Sequence, residues 1–208
     1  LKGALEAIGI DSSRLDVVLM QLVNLMKDGE PVRMSKRTGN AVTLVDLLDE
    51  VPIDAARFFF NMREPGSTID FDLGLAVKED SQNPVYYCQY ANARICSILR
   101  KMKEEGIEPR DCTEEELMLL NAPEERELIR HLSALTDEII TAAKDYDPAR
   151  ITRYAVTLAT LFHKFYNACR VGVDDEKLCA ARLYLCCRVK DVMGIILTEF
   201  KITVPESM

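Results

Sequence analysis

A chain of 208 residues, 48% of them hydrophobic and 29% charged, can bury a sizeable core as one or two domains, which rules out a disordered or fibrous protein. Its formal net charge of −8 excludes a surface built throughout for nucleic acid, although a local basic patch can still neutralise phosphates. No stretch is apolar and long enough to cross a membrane, and no signal peptide is visible.

Residues 2–8 read as the end of a helix, and the chain begins at Leu1, so a piece of a longer protein is expected. Residues 17–26 are apolar and β-rich. Lys27-Asp28-Gly29-Glu30 signals a turn, and residues 31–34 are expected to return as a second strand. This hairpin delivers Arg33-Met34-Ser35-Lys36-Arg37-Thr38-Gly39-Asn40, with three cations inside five residues. Such a loop suits a polyphosphate that gains negative charge during reaction. Read without its residue order, it is more readily a solvated basic turn.

Residues 44–48 suggest a short helix broken by Pro52. Asp54 is expected to cap a helix running through Arg57 to Met62. Pro65-Gly66-Ser67 makes a loop, and the segment to Asp80 reads as irregular and acidic. From residue 83 the pattern is helical. Asn83-Pro84 opens a helix whose core stripe is Val85, Cys88, Asn92, Ile95, Leu99 and Met102, ended by Gly106 and Pro109. Pro123 opens a second, with Leu128, Leu132, Leu135 and Ile139 on one face. Asp147-Pro148 opens a third with the stripe Ile151, Ala155, Leu158, Phe162, Phe165 and Cys169, and residues 178–200 form the last. Short connections predict antiparallel neighbours in a helical bundle, so the fold class is mainly α behind a short α/β segment. The seven cysteines, 88, 96, 112, 169, 179, 186 and 187, lack a Cys-x-x-Cys pair and read as reduced core thiols, with no metal site expected.

Opposite the core stripe of the Asn83 helix sit Tyr86, Tyr87, Tyr90, Arg94, Arg100 and Lys101, and residues 84–103 hold four cations and no acid. Aromatic rings stack on unpaired bases and arginine binds phosphate. The spacing of Tyr87, Tyr90 and Arg94 makes one patch. Periodicity leaves two readings open here, an RNA surface or tyrosines packed against a neighbouring helix. A second cluster, Arg150, Arg153, His163, Lys164, Tyr166, Asn167 and Arg170, lies on the third bundle helix. His163 there reads as an ordinary surface or core histidine.

Arg33 to Arg37 resembles the Lys-Met-Ser-Lys-Ser signature of class I aminoacyl-tRNA synthetases, with Arg33 at the first lysine and Arg37 at the last serine. Asp54-Ala55-Ala56-Arg57 resembles the Asp-Ala-Leu-Arg element shared by arginyl and cysteinyl enzymes. Residues 83–94, residues 162–171 and the ending Pro205-Glu206-Ser207-Met208 resemble the arginyl family in particular. The resemblance implies three parts: the end of a catalytic domain over 1–50 with its signature loop, a connecting helix and loop over 51–82, and an all-helical anticodon-binding domain over 83–208. It implies that Lys36 stabilises the transition state, and that Arg33, Met34, Ser35, Lys36 and Arg37 hold ATP phosphates. It implies RNA contacts from Tyr86, Tyr87, Tyr90, Arg94, Lys164, Tyr166, Asn167, Arg170 and Met208.

The full-length enzyme implied is a cytoplasmic monomer using arginine, its tRNA, and ATP with magnesium. The family's His-x-Gly-His type segment is absent from these 208 residues, so they are not expected to aminoacylate alone, nor to hold a cofactor tightly. The rival readings are a cysteinyl-tRNA synthetase segment, which leaves the tyrosine-rich and Phe-Tyr-Asn blocks unexplained, and a helical protein-interaction module without an RNA role.

Overall fold

The computed structural model describes residues 1–27, 29–32 and 43–208. A short first helix, α1 (Lys2–Ala7), precedes a 3₁₀ turn (Ser12–Arg14) whose start is capped by the Asp11 carboxylate. The first strand, β1 (Val23–Lys27), turns through Gly29, at φ +81°, into β2 (Glu30–Pro31). The hairpin is therefore present but shorter than expected. Residues 17–22 lie outside it, and Leu19 and Leu22 are about four-fifths exposed, at 79% and 83%. The limit is set by pairing, because the parallel register that begins at Val23↔Ile69 offers no partner strand before Val23. Met34 and the rest of the signature-like loop, including Lys36, lie outside the described residues.

The segment expected to be irregular contains β3 (Ile69–Asp72) and α4 (Leu73–Ala76). Ile69 and Phe71 alternate inward against β1, giving a sheet of order β2-β1-β3. This strand is four residues long and exists through its long-range pairing. Asp72 caps α4 by accepting from the Leu75 amide at 3.0 Å. Two helices cover the sheet region: α2 (Leu44–Glu50), opened by a reciprocal Thr43–Asp46 cap, and α3 (Ile53–Phe60). Phe59 and Phe60 of α3 pack on Phe71 with ring centroids at 5.4 and 5.2 Å.

Asp54 does not cap α3, since the helix begins one residue before it, behind Pro52. Its carboxylate instead accepts from Gln89 Nε2 at 3.0 Å and from the Thr203 amide at 3.1 Å, and also from the Thr203 hydroxyl. Three residues on, Arg57 Nη1 donates to the Lys201 carbonyl at 2.6 Å. The Asp-Ala-Ala-Arg element is thus a clamp on the C-terminal tail, which it ties to α3 and to the long helix that carries Gln89. Asp54→Ala leaves the Thr203 amide without its acceptor and should cost about 2 kcal/mol. Urea unfolding should show that loss, with faster hydrogen exchange at the Thr203 amide.

The remaining chain is helical: α5 (Pro84–Glu104), α6 (Glu114–Leu117), α7 (Pro123–Ser133), α8 (Leu135–Asp145), α9 (Ala149–Ala168) and α10 (Glu176–Glu199). Asn83 starts α5 as expected, accepting from the Val85 amide and donating to the Ala76 and Lys78 carbonyls. Gly106, at φ +80°, follows the end of α5. The short α6 was not expected. It is opened by Thr113 and Glu116 capping each other, and Arg110 grips Glu116 through two bonds of 2.6 and 3.0 Å. That guanidinium, with the Thr113 amide, pulls the Glu116 carboxyl down to about 2.

The single helix expected from Pro123 to Ile139 is two, joined at Ala134. Ile139 is exposed, while Leu128 is fully buried. The left-handed Tyr146 ends α8. At the centre lies α9, in contact with α5, α7, α8 and α10. Its buried stripe combines Leu158, Phe162 and Phe165 with Ala155 and Ala159, small residues that let neighbouring helices approach. The Thr152 hydroxyl donates to the Asn61 carbonyl, which joins α9 to the end of α3. All seven cysteines are free. Burial raises the thiols of Cys88 and Cys186 far above the ordinary range, as befits core residues.

Candidate nucleic-acid interface

Two helices build a cavity of about 400 Å³ between α5 and α9. From α5 come Tyr86, Tyr87, Tyr90 and Arg94, and from α9 come His163, Tyr166 and Asn167, with Ser81 at the rim. The volume falls in the range typical of small-ligand pockets. Core residues such as Cys88 and Ile95 are buried on one side of α5, while the tyrosines share the cavity with His163, Tyr166 and Asn167 of α9.

Arg94 organises this wall. Its guanidinium lies over the Tyr90 ring at 5.1 Å and over the Tyr166 ring at 5.4 Å, and it donates to the Tyr90 hydroxyl. The Tyr90 hydroxyl also favours the charged form of Arg94, holding its pKa above the ordinary guanidinium range. The cavity therefore presents a fixed positive charge among aromatic faces. That combination suits single-stranded nucleic acid, with rings for bases and a cation for the backbone.

His163 was expected to be an ordinary surface or core histidine, and the structure places it half-buried against the cavity's aromatic rings. Its ring lies 4.9 Å from Tyr87 and 5.7 Å from Tyr90, and it lines the cavity. Burial first, and then the Arg94 charge, push its pKa below the ordinary value, which favours the neutral ring. The sequence held a signal for it: His163 precedes Tyr166 and Asn167 by three and four residues, which places it on the same helix face. Ser81 carried no comparable signal.

The second cluster does not stay together. Arg150 and Arg153 lie near the start of α9, away from this cavity. Arg150 pairs with Glu138 at 2.9 Å, and Arg153 with Asp147 at 3.2 Å and Glu64 at 3.5 Å, so both charges have acidic partners. Beside them Tyr154 stacks on His131 at 4.0 Å, and burial raises the Tyr154 hydroxyl to about 12.

Lys164 is exposed on a different face, in a hollow shared with Glu124 and Glu127, and Asn167 reaches both hollows. Arg170 lies beyond the end of α9 with an exposed side chain, and its carbonyl accepts from Arg182 at 2.7 Å. Arg100 and Lys101 are exposed further along α5. The C-terminal tail runs along another side of α5, where Gln89 Nε2 donates to the Thr203 carbonyl and Asn92 Nδ2 to the Pro205 carbonyl. Met208, at its end, is half exposed at 52% and does not line the cavity.

Residues 88–208 match the model of the DALR anticodon binding domain. The whole chain aligns with an arginine–tRNA ligase of Caldanaerobacter subterraneus subsp. tengcongensis at 52% identity, and with that of Staphylococcus epidermidis at 46%. In both cases it spans 37% of the relative. It covers little more than a third of these curated relatives. A solved chain from Campylobacter jejuni described as an arginyl-tRNA synthetase superposes with a TM-score of 0.83 at 31% identity, over all of this chain and 44% of that one. The Thermus thermophilus arginyl-tRNA synthetase gives a TM-score of 0.80 over all of this chain and 38% of that one, and at 24% identity it speaks for the fold alone.

Proposed function

Because this chain belongs to the DALR anticodon-binding domain family, we propose that it forms the C-terminal part of an arginine–tRNA ligase. In the full-length enzyme it holds the anticodon arm of an arginine tRNA while arginine is activated with ATP and passed to the terminal ribose. The observation that carries this reading is the α5–α9 cavity, where Arg94 sits against Tyr90 and Tyr166 in a chain of net charge −8. The names of the aligned relatives support arginine as the amino acid.

In this proposal residues 1–50 close the catalytic domain, 51–82 connect, and 83–208 bind RNA. Tyr86, Tyr87, Tyr90, Arg94, Tyr166 and Asn167 face the anticodon loop. Lys164, Arg170 and Met208 would touch more distant parts of the same arm. Arg33, Met34, Ser35, Lys36 and Arg37 would hold the ATP phosphates, with Lys36 opposing the charge that develops as pyrophosphate leaves. Magnesium would arrive with the nucleotide. Among the described residues no group of three or more His, Cys, Asp and Glu side chains is placed to ligate a metal. No described helix is long and apolar enough to cross a membrane; the full-length enzyme is proposed to be cytoplasmic and monomeric.

The test is binding of this chain to an arginine tRNA transcript against a cysteine tRNA competitor at two salt concentrations. We expect preference for the arginine tRNA and an affinity that falls as salt rises, because bound phosphates release counterions. Equal affinity for the two tRNAs would remove the arginine assignment. Salt-independent association, or none, would leave a helical module that serves protein contacts.

A further inference from the structure

Stacking and charge cannot by themselves tell one base from another. Every base has an aromatic face, and arginine attracts every phosphate. Selection requires a polar edge that meets the hydrogen-bonding edge of the base. Some polar groups in the α5–α9 cavity are poor candidates for this task. The Tyr90 hydroxyl and the Arg94 guanidinium hold each other. Asn167 also lines the cavity, but it is exposed and shared with the neighbouring hollow.

His163 differs from both. Among the described residues only two buried side-chain polar atoms lack a hydrogen-bond partner, Asn92 Oδ1 and His163 Nε2. Asn92 is on the side of α5 that holds the C-terminal tail. His163 lines the cavity, with rings of Tyr87, Tyr90 and Phe162 around it at 4.9, 5.7 and 5.5 Å. A buried polar atom without a partner is rare in a folded protein and calls for an explanation.

We propose that His163 determines nucleobase specificity in this cavity, its imidazole edge forming a hydrogen bond to a base held among the tyrosine rings. The proposal rests on the anticodon-binding reading above. In the free protein Nε2 is buried, with the Tyr87 and Tyr90 rings beside the imidazole. A base that enters the cavity and shifts either ring supplies the partner this nitrogen lacks. The depressed basicity of His163 fits the role, because a neutral imidazole offers one N–H and one lone pair and so selects by complementarity, whereas a cation would act mainly through charge. A base with the wrong edge would leave the nitrogen unpaired and would bind more weakly for that reason.

The experiment uses the full-length enzyme that contains this chain and a set of arginine tRNA transcripts, each altered at one anticodon position. Binding and kcat/KM are measured for the parent enzyme, His163→Phe and His163→Gln. Phenylalanine keeps a ring among the tyrosines and removes both nitrogens; glutamine restores a donor and an acceptor of similar reach. We expect His163→Phe to lower selectivity at one anticodon position by about tenfold, with the altered tRNA bound nearly as before, and His163→Gln to recover part of that selectivity. A thermal melt of each variant separates this outcome from misfolding, and a misfolded phenylalanine variant leaves the glutamine and parent pair to decide. Unchanged selectivity in folded His163→Phe, or an equal loss for every transcript, would overturn the proposal while leaving the RNA surface in place. A parent enzyme indifferent to every anticodon change would overturn the anticodon reading and this inference together.

Discussion

Replacing Arg182 with alanine is expected to destabilise the chain by about 3–5 kcal/mol, a loss measured by urea unfolding. The cause lies at Glu125, a carboxylate only 1% exposed near the start of α7. One of its oxygens accepts from Arg182 Nε at 2.7 Å, and the other accepts from the Ala122 amide at 2.8 Å, tying down the first turn of the helix. Arg182, on α10, also donates through Nη1 to the Arg170 carbonyl just past α9. One guanidinium therefore fastens the ends of α7 and α9 to α10. Alanine would leave the buried Glu125 charge with a single neutral donor, and an uncompensated buried charge is costly. The double change Arg182→Met with Glu125→Gln removes both charges and should recover most of the loss. A double-mutant cycle would then report strong coupling between the two positions. If Arg182→Ala unfolds at the same urea concentration as the parent, the ion pair is not what holds these helix ends.

Neither partner of that pair was legible in the sequence, and the reason is physical. Glu125 and Arg182 are 57 residues apart, and each looks locally like a solvated charge on a helix. The same holds for Asp54 and Thr203, separated by 149 residues, where the acid appeared to be a cap. What could be read was local. Asn83 and Pro84 announced α5 through cap chemistry, and the stripe through Leu158, Phe162 and Phe165 announced the buried face of α9. Elements that depend on distant partners were lost or misjudged. Four-residue β3 exists because β1 lies beside it, and α7 and α8 part at Ala134, where the apolar spacing gives no warning. The cavity was half visible. The α5 tyrosines and Arg94 shared an evident face, but only packing decided that Tyr166 and His163 would meet them while Arg150 and Arg153 would not.

Arg94→Ala is expected to weaken tRNA binding by about 10- to 100-fold at low salt, or roughly 1.4–2.8 kcal/mol, and to flatten the salt dependence by about one phosphate contact. Two losses combine in that figure. The cation itself disappears, and so does the group lying over Tyr90 at 5.1 Å and Tyr166 at 5.4 Å that keeps the two rings in place as stacking surfaces. Arg94→Lys separates them. An ammonium keeps the charge, and hence most of the salt slope, but it lacks the planar group that lies against two rings. Its affinity should fall between those of the parent and the alanine variant. Tyr90→Phe removes the hydroxyl that accepts from Arg94 while preserving the ring, and it should cost less than either. Stability should change little in all three variants, because Arg94 faces the cavity and not the bundle core. Binding losses without a shift in the melting transition would therefore place the RNA contact at this cavity. Unaltered binding in Arg94→Ala would move it elsewhere, and the next surface to test would be the exposed cations Arg100 and Lys101 further along the same helix.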